Sequence, residues 1–114
     1  MFETVFKALG EPSRLKIIKL LADKELCVCD LEVILQYSQP RISQHLKVLK
    51  QAGLVKERKE GQRSICSLDR ELLKDIWADF ERYLDQPLQE SPALSAEFSR
   101  MPSITGEYCA AKSD

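Results

Sequence analysis

Cys27 and Cys29 stand one residue apart, a few positions ahead of the run Ser38-Gln39-Pro40-Arg41-Ile42-Ser43-Gln44-His45-Leu46. Neighbouring thiols are soft ligands and select soft or thiophilic ions. On an ideal helix, residues two apart point about 200° away from one another. The pair therefore cannot grip one ion while both residues stay in a regular turn. Either Cys27 lies before a helix start, or binding unwinds the first turn. The second alternative is a switch, because a deformed turn would tilt whatever helix follows. Cys29 would also lie beside a helix N-terminus, where the dipole favours the thiolate.

The elements that must hold this pair can be read along the chain. Phe2, Val5, Phe6 and Leu9 recur at helical spacing and predict a short first helix stopped by Gly10. Pro12 and Ser13 open a second, whose Leu15, Ile17, Ile18, Leu20 and Leu21 predict a mostly buried rod. Asp30 is read as the start of a short third helix carrying Leu31, Ile34 and Leu35 and ending near Tyr37. Ser38 caps a fourth, with Pro40 in its first turn and Ile42, Leu46 and Leu49 facing inward. Gly53 ends it as a left-handed cap. Strands at residues 54–59 and 63–68 follow, joined around Glu60-Gly61-Gln62. A fifth helix over residues 70–86 has Leu72, Leu73, Ile76, Trp77, Phe80 and Leu84 as its apolar face, and Pro87 ends it. Residues 1–86 thus read as one domain and residues 87–114 as a weakly structured tail, with one helical turn near Leu94–Phe98.

Two helices followed by a basic hairpin make a mostly α, winged helix-turn-helix fold of order α-α-α-α-β-β-α. In that arrangement the second helix of the pair enters the major groove, N-terminal end foremost. That end carries Ser38, Gln39, Arg41, Ser43 and Gln44, with His45 and Lys47 one turn on. All can hydrogen-bond base edges or phosphates. Lys56, Arg58, Lys59, Gln62 and Arg63 on the hairpin would flank the neighbouring backbone. The formal net charge is only −1, but it is unevenly spread. Residues 41–70 hold eight Lys/Arg against three acidic side chains, a local face able to neutralise phosphates.

Length and composition are consistent with this. A chain of 114 residues, 44% hydrophobic and 31% charged, is one modest domain. No apolar run approaches the roughly 18 residues a membrane span needs, and the N-terminus lacks a signal-peptide layout. A cytoplasmic location is expected, where the four cysteines would be reduced and serve as ligands or sensors rather than staples. With no Cys-x-x-Cys and no phosphate-binding loop, an enzyme is not expected.

Four segments together resemble the arsenic-resistance repressor (ArsR/SmtB) family, and the resemblance spans about residues 2–85. They are Leu9-Gly10-Glu11-Pro12-Ser13-Arg14-Leu15-Lys16-Ile17, Glu25-Leu26-Cys27-Val28-Cys29-Asp30-Leu31, the Ser38–Leu46 run, and Ala52-Gly53-Leu54-Val55. The Leu-Cys-Val-Cys-Asp-Leu stretch is especially similar to the arsenical-sensing branch. The resemblance implies a homodimeric repressor on an inverted-repeat operator, released when an inducer binds. It also implies a dimer interface of the first and fifth helices, giving Phe2, Phe6, Ile76, Trp77 and Phe80 a reason to be apolar.

As(III) and Sb(III), the inducers implied, take three donors, and here the chain departs from that branch. Glu32 stands where its members carry a third cysteine. Cys109 in the tail is the better replacement, because a tail can reach the site whereas Cys66 on a wing strand cannot; water or another anion is an equal alternative. Cys66 reads as a small apolar strand residue. Zinc wants four ligands, often with His. The only histidine is His45 inside the reading helix, so a zinc site is not expected, whereas Cd(II) or Pb(II) would suit the thiols. A redox or reactive-sulfur switch is the other reading. A Cys27–Cys29 disulfide would close a very tight ring, so that switch is expected to use Cys109.

Overall fold

The computed structural model describes residues 2–101. They run α1 (Phe2–Leu9), α2 (Pro12–Asp23), β1 (Leu26–Cys27), α3 (Val28–Leu35), α4 (Gln39–Gln51), β2 (Val55–Glu60), β3 (Arg63–Leu68) and α5 (Arg70–Asp85). Short 3-10 turns at Leu88–Glu90 and Pro92–Leu94 and a last helix, α6 (Ser95–Arg100), follow. The chain divides into two compact units, residues 1–80 and 81–114.

In the first unit the helix boundaries follow from caps. Glu11 precedes Pro12 in an extended conformation and accepts the Arg14 N–H at 3.0 Å. Ser38 does the same for α4, accepting from the Arg41 N–H at 3.4 Å. The C-terminus of α4 is a Schellman turn. The Leu54 N–H donates to the Leu49 carbonyl at 3.0 Å and the Gly53 N–H to that of Lys50 at 2.9 Å. Gly53 sits at φ +82°, and a Cβ there would lie 3.1 Å from Leu72 Cδ2. Gly53→Val is therefore expected to cost about 1–2 kcal/mol from the left-handed backbone alone. A lower urea midpoint with unchanged slope would show it; an unchanged midpoint would mean the turn has another conformation.

The core gathers one face of each element. Val5 and Ala8 of α1, Ile17 and Leu21 of α2, Leu31 of α3 and Ile76 of α5 share one buried cluster with the inward face of α4. That face is Ile42, Leu46 and Leu49, as its period predicts. Leu15 differs from expectation: it is 50% exposed, as is Ile34 on α3. The period of α2 turns Leu15 away from the stripe that Ile17 and Leu21 bury, so α2 is half-buried rather than mostly buried.

The sheet holds one strand more than the sequence predicted. β2 and β3 form the wing, with Glu60 opposite Arg63 and Gly61 at φ +62° in the two-residue turn. β1 joins the far edge of β3, Leu26 opposite Cys66 and Cys27 opposite Ile65, giving an antiparallel order β1-β3-β2. Two residues are too short to show an alternating pattern, so only the pairing reveals β1. The helix α3 starts at Val28, two residues before the predicted Asp30, and ends at Leu35. Asp30 is a good N-cap residue by type, but here it occupies the third helical position.

The second unit contains the C-terminal end of α5, the 3-10 turns and α6. Gln86 Nε2 donates to the Glu90 carbonyl at 3.2 Å, tying the helix end to the first turn. Helical turns thus extend over residues 88–100, further than the single turn predicted near Leu94–Phe98. No helix among the described residues is long and apolar enough to cross a membrane.

Candidate inducer site and nucleic-acid interface

Cys27 is the N-cap of α3, with extended φ −79° and ψ 161°. Its sulfur accepts the Asp30 N–H at 3.3 Å, and Asp30 Oδ2 accepts the Cys27 N–H at 3.0 Å. That is a capping box with sulfur in place of the usual hydroxyl. Of the two alternatives the spacing left open, the first holds: Cys27 lies before the helix. No turn need unwind for the two sulfurs to meet, and the idea of a switch that must spoil a turn is corrected accordingly.

The sulfurs do meet. Cys27 and Cys29 are joined as a disulfide, with Cα atoms 5.4 Å apart, inside the ordinary range for bridged cysteines. The expectation that so close a pair would close too tight a ring is thus corrected, because the extended N-cap conformation turns the Cys27 side chain toward its neighbour. Cys27 is fully buried and Cys29 exposed, so the pair is reached from one side. Cys109 lies outside the described residues.

Asp30 completes the cluster. Donor atoms of Cys27, Cys29 and Asp30 all lie within 4.8 Å of one another. Sequence reasoning missed Asp30 as a donor because it was assigned to the cap; its i+3 spacing from Cys27, the capping-box signature, was the available signal. Once the bridge is reduced, two thiols and a carboxylate suit a thiophilic ion.

Cys66 has no part in this cluster. It is buried, and burial first, then the Glu57 charge, pushes its thiol up to about 11. Its proton is held more tightly folded than unfolded, so stability from this group is complete below about 9 and falls as the pH rises toward 11. Urea midpoints of the wild type should drop over that window, and Cys66→Ala should flatten the drop. An equal drop in both proteins would assign it elsewhere.

Among the candidate nucleic-acid contacts, Gln39, Arg41, Ser43, Gln44 and Lys47 are exposed along α4. Gln39 Nε2 donates to Ser43 Oγ at 2.7 Å, so these two share a hydrogen bond. Arg41 folds back: its guanidinium lies 3.6 Å from the centre of the Tyr37 ring and donates to Ser13 Oγ at 3.2 Å. Ser13 Oγ and Tyr37 Oη are themselves 2.9 Å apart. This clamp ties the start of α4 to α2; the sequence marked Ser13 and Tyr37 only as helix boundaries, not as partners of Arg41. His45 is half-buried, its Nδ1 3.8 Å from Glu11 Oε2 and its ring 6.4 Å from that of Tyr37.

The wing cations are mostly paired. Arg58 bridges Glu25 at 2.8 Å and Glu60 at 2.7 Å. Arg58 in turn holds the Glu25 carboxyl below its ordinary value. Lys56 faces Asp69 at 3.4 Å and Arg63 faces Asp30 at 3.6 Å. Lys59 and Gln62 are exposed at the tip. Exposed pairs like these contribute little stability, so phosphates can compete for the cations.

Of the residues expected at a dimer interface, Ile76 is 2% exposed and belongs to the chain's own core. Phe2, Phe6 and Phe80 pack their rings together, with centroids 4.9–5.9 Å apart. Trp77 is 58% exposed beside Phe80.

Residues 11–57 match the family model for "Bacterial regulatory protein, arsR family". An arsenical resistance operon repressor of Staphylococcus xylosus is 46% identical over 73 residues, covering 64% of this chain and 70% of that protein. A cadmium resistance transcriptional regulatory protein CadC homolog of Staphylococcus aureus is 45% identical over 73 residues, covering 63% of this chain and 60% of its own. A solved structure described as a possible transcriptional regulator for arsenical resistance is similar with a TM-score of 0.61 at 36% identity, covering 68% of this chain and 81% of that one.

Proposed function

The chain belongs to the arsR family of bacterial regulatory proteins, and from that premise we propose that it is a cytoplasmic repressor released from DNA when As(III) or Sb(III) bridges Cys27 and Cys29. The observation that carries this reading is the conformation of Cys27. An extended N-cap residue brings two sulfurs together at a helix start, so one ion can hold both without breaking the helix. In the reduced protein the thiols lose their protons as the ion binds.

On this reading α4 enters the major groove and the wing flanks the adjacent phosphates. The two copies of a homodimer address the halves of an inverted repeat. Residues 1–86 carry both tasks, and the exposed Trp77 beside Phe80, whose ring packs on Phe2 and Phe6, supports pairing through α1 and α5. The ion acts on α3, which packs against α4. Because Cys27 both caps α3 and binds the ion, any shift of its sulfur is felt at the helix start.

Mobility shift on an inverted-repeat operator tests this, with the protein kept reduced. Arsenite should release the DNA. If arsenite leaves the complex intact while peroxide disrupts it, a second reading holds, favoured by the bonded pair of sulfurs. Two thiols then give two protons and two electrons to hydrogen peroxide, forming the disulfide and two waters.

A further inference from the structure

We propose that the groove between α2 and α3 is a docking site for an acidic amphipathic helix of another protein. The groove encloses about 350 Å³, and no residue of the thiol cluster lines it. Leu15, Lys16, Lys19 and Leu20 line it from α2, and Ile34 and Leu35 from α3. The four α2 positions fall on one side of that helix, because residues three and four apart share a face. Leu20 and Leu35 are partly buried against the core and form the floor, whereas Leu15 and Ile34 are half exposed. Large apolar side chains left in water around one groove mark a contact surface, as scattered ones do not.

Charge selects the occupant. Lys50, Lys56 and Lys74 each face a carboxylate. Lys16 and Lys19 do not: among the described residues neither ammonium has an ion pair or hydrogen bond, and no acidic side chain lines the groove. Lysine stems lie along apolar surface while their ammoniums stay in water, so the groove is apolar within and cationic at the rim. The two lysines are three residues apart, and their charges therefore recur at about one helical turn. A single carboxylate would pair with one of them and leave the other. A helix lying along the groove presents carboxylates at the same spacing, with its apolar stripe toward Leu15 and Ile34.

The test uses the whole reduced chain and a fluorescein-labelled synthetic helix, followed by anisotropy. The peptide carries leucines at i, i+3, i+4 and i+7, with glutamates one turn apart beside them. It should bind, and a version with lysine in place of each glutamate should bind at least about tenfold more weakly. Lys16→Gln combined with Lys19→Gln should weaken the glutamate peptide about fivefold at low salt, with the difference gone at high salt. Leu15→Ser and Ile34→Ser should each weaken it about fivefold at every salt concentration, since each removes part of the apolar contact. Both positions are half exposed, so the fold should survive, and a urea midpoint close to that of wild type checks it. The lysine double variant should bind operator DNA with the wild-type salt slope. No binding of the glutamate peptide, or equal binding of the two peptides, overturns the proposal. An operator salt slope lower by about two assigns the lysines to phosphates and overturns it as well. Dodecanoate binding without peptide binding overturns it in favour of a small amphiphile. A smaller sedimenting species for Ile34→Ser overturns it in favour of a second copy of this chain.

Discussion

Cys27→Ser should leave operator binding intact while removing release by arsenite. The position is fully buried, so the outcome depends on what the new side chain can replace. Serine is among the best N-cap residues, and its hydroxyl can accept the Asp30 N–H that the sulfur now accepts at 3.3 Å. The capping box and the β1–β3 pairing should therefore persist, and with them the placement of α3. What serine cannot supply is a thiolate. Loss of one of two sulfur ligands should weaken arsenite binding by more than about 100-fold, given that losing even an outer partner costs about 10–100-fold. Cys29→Ser should behave alike from an exposed position. Fluorescence anisotropy on a labelled operator, with arsenite titrated in, separates the two effects. Normal release by arsenite in both variants would sink the ion reading; loss of DNA binding in both would make the pair structural.

Leu49→Ala should cost about 2–5 kcal/mol, the ordinary penalty for a buried leucine. Leu49 is 0% exposed on the inward face of α4, where it meets side chains from several other elements. Its backbone carbonyl, which accepts from the Leu54 N–H, is untouched, so the loss is packing rather than cap. Against a typical domain stability of about 5–15 kcal/mol this is a large share. The reading helix would loosen with it, and DNA affinity should fall at temperatures where the variant begins to unfold. Ile34→Ala, at a side chain 50% exposed, should change stability by about 0.5 kcal/mol. Urea unfolding of both variants makes the comparison. A small effect at Leu49 would mean that α4 is not held by this core.

Much of the frame was legible because local signals agreed with one another. The period of Ile42, Leu46 and Leu49 shows which face of α4 is buried, and Ser38 and Gly53 mark its ends. The wing was legible from Gly61 and the two short runs around it. The start of α3 was not legible, because Asp30 suits two positions: N-cap by residue type and third helical residue by its reciprocal bonds with Cys27. Choosing between them needs the backbone conformation of Cys27. Leu15 was assigned inward on residue type, but the period of α2 turns it away from the stripe that Ile17 and Leu21 bury.

By itself, then, the sequence determined that two soft donors precede a capped, basic-flanked reading helix in a winged frame. These are short-range properties, set by residue type and spacing. Tertiary structure decided how the donors meet. Pairing of Leu26 and Cys27 with β3 holds Cys27 extended, and that brings its sulfur to Cys29 and to the Asp30 carboxylate. It likewise decided that Arg41 is clamped over Tyr37 and Ser13, and that Arg58 and Arg63 are paired with Glu25 and Asp30. Those partners lie 4–33 positions away along the chain, and side-chain type alone cannot choose among the many charges such a chain carries.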